Sequence, residues 1–382
     1  MSEYDVIVVG GGPAGVAAAK SSAESGAKTL LIEREPAISA WKPCGEATSL
    51  ETFTDVGLKA DYPLIVRKAN AMVFAPNGKY ITINQEGYFI NKSLFLQEVA
   101  SKAAQAGAEI HVRDAFESFV REDGGVKVKT STGIYRAKVI IGADGYHSTV
   151  AKVAGIKEKS EPIPTIQYLM GNVKLKYPHS VRFYLGNSVA PKGYAWIFPK
   201  TDDIAEVGIG VRGAVAKQYL DKFVMEHQDE LGGARIIDYR GAPVPIGGMI
   251  RDAVRDNLIL VGDAAGTVIP FTGAGIHSSL VAGMVAGRVA ARASLEGNVS
   301  AERLSEFYKL YDDPWGKRIR ASLKAMRVFE NASDDDLNQL QELLSESDVL
   351  ALANGFDLSK VVPKIMKHPL LAIKIGARLL TS

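Results

Sequence analysis

Cysteine is almost missing from this chain: Cys44 stands alone in 382 residues. A single thiol excludes an intrachain disulfide and suits a reducing, cytoplasmic compartment. Strong net charge is missing too. Forty-five Lys and Arg stand against 43 Asp and Glu, a net charge of +2, so no global field draws the protein to nucleic acid. No basic-aromatic pattern suggests such a partner either. No uncharged apolar run is long enough to cross a bilayer, and the longest candidate, 258–276, is broken by Asp263 and several glycines. The first residues do not read as a secretory signal, because Glu3 and Asp5 stand where basic residues belong. A 20–50-residue repeat, a His/Cys cluster at metal-ligand spacing and a G-x-S-x-G turn are all missing. No metal site is expected.

What is present begins at once. Tyr4-Asp5-Val6-Ile7-Val8-Val9 runs into Gly10-Gly11-Gly12-Pro13-Ala14-Gly15, then an Ala-rich helical stretch, then Thr29-Leu30-Leu31-Ile32-Glu33. That is strand, glycine turn, helix, strand, acid. Gly10 permits the tight turn, Gly12 lets the backbone approach a pyrophosphate, and Gly15 lets helix and strand pack closely. The helix start, at Pro13 and Ala14, offers free N–H groups to phosphates. Glu33 and Arg34 follow at the strand end, where a carboxylate can accept hydrogen bonds from ribose hydroxyls. This unit reads as dinucleotide-binding.

Two later segments repeat the theme. Gly142-Ala143-Asp144-Gly145 closes an apolar strand and leads to Ser148, with Asp144 open to a second reading as a helix cap. Asn257–Val261 is a buried strand ending in Gly262-Asp263, and Gly273-Ala274-Gly275-Ile276 opens a small-residue helix to Leu295. Strand ends of open parallel sheets gather ligands. Asp263 suits a ribityl hydroxyl, and the amides at Gly275 and Ile276 suit the carbonyl edge of a flavin. With these three motifs in order, the chain resembles FAD-dependent glutathione-reductase-like proteins of the para-hydroxybenzoate hydroxylase type.

The expected architecture is α/β, a Rossmann-like FAD-binding domain with an inserted antiparallel β-rich substrate domain and a helical C-terminal region. The FAD-binding domain is discontinuous, at 1–65, 90–157 and 250–298. The β-rich domain takes 66–89 and 158–249, and the helical region 299–382. Within 64–90 short strands are expected, with turns at Pro76-Asn77-Gly78 and Glu86-Gly87. One helix is expected over 215–230.

Two further segments resemble the geranylgeranyl reductase family: Pro43-Cys44-Gly45-Glu46, and Tyr194-Ala195-Trp196-Ile197-Phe198-Pro199. That resemblance implies an FAD-dependent reductase that saturates isolated C=C bonds of isoprenoid chains. It implies flavin contacts at Ala14, Glu33, Cys44, Gly45, Ala47, Ala115, Asp263, Gly275 and Ile276. Lys92 replaces the family's usual arginine, keeping the charge but losing the bidentate fork. Thr272-Gly273-Ala274-Gly275 replaces a fuller glycine run. An unactivated alkene has no polar handle, so its recognition needs a long apolar groove. Tyr194, Trp196 and Phe198 alternate along a strand and share one face; with Pro270 they are expected to line the substrate pocket. Cys44 is expected to donate the proton or to position the alkene, Glu46 and His277 are weaker proton-donor candidates, and Tyr194 and Trp196 are placed with the catalytic groups. The aromatic strand also occurs in flavin halogenases, so a monooxygenase or halogenase stays open, as does an electron-transfer flavoprotein.

Gly208-Ile209-Gly210-Val211-Arg212-Gly213 matches a nucleotide pattern, but its glycines lie inside an alternating strand. No dedicated nicotinamide domain is therefore expected, and electrons would come from ferredoxin or from NAD(P)H visiting the flavin. Asp334-Asp335-Asp336 reads as a helix-start cluster. Residues 359–382 carry five Lys and Arg and no acid, interleaved with apolar residues and broken by Pro363 and Pro369. That mix suits peripheral contact with anionic lipid on the inner face of the membrane. Liposome flotation with and without residues 359–382 tests it: truncation is expected to abolish flotation, and equal flotation would count against an anchor.

Overall fold

The structure is a computed structural model that describes residues 2–40, 42–122, 124–356, 359 and 361–368. Two sheets organise it. In the first, strands Leu258–Leu260, Ile134–Gly142, Ser2–Val9, Thr29–Glu33 and Glu109–Val112 lie side by side and parallel, with Ser2–Val9 in the middle. Val6, Ile7 and Val8 are wholly buried, as a central parallel strand covered on both faces must be. The hairpin Phe116–Glu122 and Gly125–Thr130 joins this sheet along Ile134–Gly142.

One face of this sheet carries the helices Pro13–Glu24, Lys92–Gln105 and Ile276–Glu296. The first and last of these approach very closely. A Cβ on Gly283 would stand 2.0 Å from the Ala14 carbonyl oxygen, and one on Gly287 2.4 Å from that of Ala18. Only glycine fits at either place.

The second sheet runs in the order Arg235–Pro245, Pro162–Gly171, Ile204–Gly210, Tyr194–Pro199, Ser180–Leu185, Ile65–Phe74, Tyr80–Ile90, Ala47–Thr48. It is mixed rather than purely antiparallel, because Ser180–Leu185 pairs parallel to Ile65–Phe74. That pairing is what brings the 64–90 segment into the β-rich unit. The turn expected at Glu86-Gly87 is absent. Ala69 pairs with Gly87 and Ala71 with Ile83, so the residues between bulge out of one long strand. Asn84 on this bulge is tied through its backbone and side chain to Glu346, on a C-terminal helix. The helix expected over 215–230 is two, Ala216–Glu226 and Gln228–Leu231, broken at His227.

Gly208 and Gly210 lie within the strand Ile204–Gly210, opposite Trp196 and Tyr194. A Cβ on Gly208 would come within 2.3 Å of the Trp196 ring. These glycines make room for aromatic side chains and do not form a nucleotide turn. Helices then pack over the second sheet, including Lys317–Phe329, Asp334–Leu343 and Glu346–Asn354. The acidic cluster is a helix start: Ser333 and Asp336 form a reciprocal capping box.

On the face of the second sheet opposite Tyr194, Trp196 and Phe198, Arg182 and Glu230 form a buried bidentate pair at 2.7 and 2.8 Å, both at most 4% exposed. Removing one partner leaves an uncompensated buried charge. Glu230→Ala is expected to lose about 3–5 kcal/mol in urea unfolding. The double change Arg182→Met with Glu230→Leu is expected to lose less. A negligible loss in the single variant would show that the pair holds little.

Candidate active site

The first glycine turn is shaped as its sequence requires. Gly10 has φ +102°, and a Cβ there would stand 2.6 Å from the Ala143 carbonyl oxygen. On Gly15 a Cβ would sit 1.7 Å from the Gly10 carbonyl oxygen, whereas at Gly12 it would meet nothing within 4 Å. Gly12 therefore borders open space. The helix that starts at Pro13 has no side-chain cap and no acid in its first turn, which leaves its N–H groups free for an anion. Glu33 is already held at its strand end, accepting the N–H groups of Gly11 at 2.5 Å and Glu35 at 2.9 Å. Ala115 comes close to it, because the Asp114 N–H donates to the Glu33 carbonyl at 2.9 Å. Arg34 is exposed and pairs with Glu35 at 3.2 Å.

The second motif serves the fold. Asp144 accepts from the Ser148 hydroxyl at 2.6 Å and the Val150 N–H at 3.0 Å, securing the start of the helix Thr149–Val153. Burial pushes its carboxyl up, against the pull of those donors. Gly145 has φ +80°, and the Lys42 ammonium lies where its Cβ would be. The third motif faces the first: a Cβ on Gly262 (φ +67°) would be 3.1 Å from that of Ala14. Asp263, in the turn that follows, lies 3.7 Å from Lys42. Gly273 has φ +68°. Gly275 begins the helix Ile276–Glu296 without a side-chain cap. His277 is not a cap either; it bonds Asp55 at 2.7 Å and sets its ring against Trp315.

Between these motifs passes the segment holding Cys44. Gly45 is pressed onto Phe198, whose ring lies 2.3 Å from where a Cβ would be. Glu46 has φ +52°, its N–H donates to Cys44 Sγ at 3.4 Å, and its carboxylate pairs with Lys200 at 2.7 Å. The Lys92 ammonium is buried beside Cys44. Burial alone pushes it down, but Cys44, Glu46 and Asp263 outweigh that and hold it above the ordinary lysine value. Lys200 is raised in the same way, with burial opposed by Glu206, Glu46 and Cys44. Burial pushes the Tyr194 phenol up, and Cys44 adds to it. Its hydroxyl donates to the Thr272 carbonyl.

This segment separates two cavities of opposite character. On one side Ala47, Thr48 and Ser49 help to wall a cavity of about 590 Å³. Most of its other walls are hydrocarbon, with Ala71, Val73, Ile81 and Ile83 from the second sheet and Leu337, Leu340, Leu344 and Leu352 from the C-terminal helices, while Glu51, Glu86, His277 and Arg318 also border it. It ends against Thr272, Gly275 and Ile276. On the other side Cys44 and Glu46 face a cavity of about 360 Å³, with Lys42, Lys200, Glu206, Asp238 and Arg240 around it.

Of the four residues expected to line a substrate pocket, only Tyr194 stands on the apolar wall. Trp196 and Phe198 share its face but pack in a small core with Phe89 and Val181, and line neither cavity. Pro270 is buried behind the wall. The reason is the close fit of Trp196 over Gly208 and Phe198 over Gly45, which uses up both rings. Lys200 and Glu206 went unassigned in the sequence. The signal was a charged residue at an inward strand position: Glu206 sits directly opposite Phe198. Among the described residues no cluster of His, Cys, Asp or Glu suits a metal.

Comparison with known proteins agrees with this geometry. Residues 162–244 match a family described as geranylgeranyl reductase catalytic domain, and residues 5–162 one described as FAD dependent oxidoreductase. A digeranylgeranylglycerophospholipid reductase of Methanocaldococcus jannaschii is 38% identical over 381 residues, with 95% of each chain covered. The crystal structure of a geranylgeranyl bacteriochlorophyll reductase-like protein from Thermoplasma acidophilum superposes with a TM-score of 0.87 at 30% identity, covering 99% of this chain and 100% of that one. A flavin-dependent brominase shares the fold alone, with a TM-score of 0.74 at 18% identity over 93% of this chain and 95% of the other.

FAD fits the residues present: an open turn at Gly12, uncapped helix starts at Gly12 and Gly275, and a fixed carboxylate at Glu33. Gly15→Ala is expected to purify without flavin absorbance, since its Cβ collides with backbone. A stoichiometric flavin-to-protein ratio in that variant would contradict the cradle.

Proposed function

The chain belongs to the geranylgeranyl reductase family and is an FAD-dependent oxidoreductase, and from that premise we propose that it saturates C=C bonds of geranylgeranyl chains on a glycerophospholipid. The observation that carries this reading is the apolar cavity ending at Gly275 and Ile276. Its volume lies within the range of small-molecule sites, and most of the side chains on its walls are apolar. A prenyl chain has no hydrogen-bonding group to offer. A dry wall recognises it by excluding water, at about 25 cal/mol for each Å² of apolar surface buried.

Bound FAD supplies the hydride when reduced. The chain's own residues do the rest. Glu33 and Ala115 would hold the adenosine end, the helix start at Gly12–Gly15 would take the pyrophosphate, and Asp263 would take the ribityl hydroxyls. Gly45, Ala47, Lys92, Gly275 and Ile276 would hold the ring. Cys44 holds the proton. Lys92 lies buried and charged beside it. Tyr194, fixed on Thr272 and close to Cys44, stands on the cavity wall where the prenyl chain would pass.

No nicotinamide module is present among the described residues, so we assign the electrons to a separate donor, ferredoxin or NAD(P)H. None of the described helices is long and apolar enough to cross a membrane. Lipid contact falls to the C-terminal segment, most of which lies outside the described residues.

Vesicles of a geranylgeranyl glycerophospholipid, dithionite and the purified protein form the test, read by mass spectrometry as two hydrogens gained per bond. Cys44→Ser is expected to keep FAD and to lose roughly 10²-fold in rate, the scale of general acid catalysis. Ala71→Trp, which fills the cavity from its sheet wall, is expected to keep FAD and lose lipid reduction. Full turnover by the serine variant would remove the thiol from the chemistry. Full turnover by the tryptophan variant would remove the cavity.

A further inference from the structure

We infer that Glu206 resupplies the proton that Cys44 gives up, and that the polar cavity is its route to solvent. This rests on the proposed role of Cys44. A thiol that protonates an alkene carbon is left as a thiolate, and the ionisable groups on the apolar cavity are engaged elsewhere, His277 with Asp55 and Glu86 with Lys68, so that side does not restore it. The opposite side does. Glu206 is 6% exposed, lines the polar cavity and has one carboxylate oxygen, Oε2, with no hydrogen-bond partner. Its Oε1 lies 3.4 Å from Lys200 Nζ, which lies 2.7 Å from Glu46 Oε2. The backbone N–H of Glu46 in turn contacts Cys44 Sγ. A string of polar contacts thus runs from a buried carboxyl to the thiol.

The other charges around Glu206 are few. Lys92 faces it from the helix Lys92–Gln105, and Glu46 from the loop. Asp238 and Arg240, paired at 2.5 Å on the strand Arg235–Pro245, and Lys42 border the same cavity. Gln167 and Leu169 complete its floor. Burial pushes the Glu206 carboxyl up to about 7 against the pull of Lys200, with Glu46 adding to the rise. It therefore carries a proton for much of the time at neutral pH. In the resupply step an O–H bond on Glu206 breaks and the S–H bond of Cys44 forms. The proton travels through water in the polar cavity, which both Glu206 and Cys44 line, and Glu206 regains one from bulk water. No oxidant or reductant enters.

Pre-steady-state reduction of the same lipid by dithionite-reduced holoenzyme separates resupply from the first proton transfer. In Glu206→Gln the first turnover is expected within about twofold of the unchanged protein, with later turnovers about tenfold slower. Glu206→Asp is expected to restore them. Equal slowing of both phases, or no slowing, would overturn the inference.

A readout independent of lipid is alkylation of Cys44, the only thiol, by iodoacetamide across pH, followed by intact mass. The unchanged holoenzyme is expected to show a step near pH 7, lost in Glu206→Gln, whose thiol reacts about tenfold faster at pH 8.5 because a nearby negative charge is gone. Identical profiles would overturn the link. Where the glutamine variant does not fold, Glu206→Met, which also removes the carboxyl, takes its place. If the unchanged protein reduces no prenyl lipid, the proposed function fails by itself, and the alkylation profiles still judge Glu206.

Discussion

The contact between the helices Pro13–Glu24 and Ile276–Glu296 is the constraint on which the site depends. Two glycines permit it, Gly283 and Gly287, each set against the backbone of the first helix at a distance no Cβ tolerates, while Gly15 seats that helix on its own turn. About 250 residues of chain separate the two helices. Their close packing sets Gly262 over Ala14 and brings two uncapped helix starts to one cleft. Phosphate at one start and a ring carbonyl at the other are the groups such termini favour. Loosening this contact would separate the two ends of the cofactor site.

The second organising feature is a difference in polarity across one short segment. Residues 44–46 look onto buried charge, and residues 47–49 onto hydrocarbon. The division suits the chemistry. A prenyl chain binds where water is excluded, while a proton has to arrive from water. Placing Lys92 and Lys200 near one thiol keeps these two cations paired and off the lining of the lipid cavity. Buried charges are tolerated only with partners, and here each cation has at least one carboxylate or thiol beside it.

Much of this was legible in the sequence where the signal is local. Gly10 to Gly15 and Glu33 specify a turn, a helix start and an acid within one strand–helix–strand unit, and they stand as expected. Asp144 looked like a third cofactor acid, yet its carboxylate secures a helix start six residues on, a choice that spacing alone does not decide. The shared face of Tyr194, Trp196 and Phe198 was also legible, as strand alternation. Which of them reach the cavity was not, because Gly208 and Gly45, from distant parts of the chain, claim two of the rings. The cavity walls were least legible. They come from a sheet edge formed by a parallel pairing and from amphipathic C-terminal helices, so no single stretch of sequence carries their pattern.

Segregation of lipid from charge is the central claim, and photo-crosslinking with a diazirine-bearing geranylgeranyl lipid tests it most directly. Labelled peptides are expected from strands Ile65–Phe74 and Tyr80–Ile90 and from the helices Asp334–Leu343 and Glu346–Asn354, whose side chains wall the apolar cavity. Labels concentrated around Ser39, Lys200 and Arg240 would place the prenyl chain in the polar cavity and contradict it.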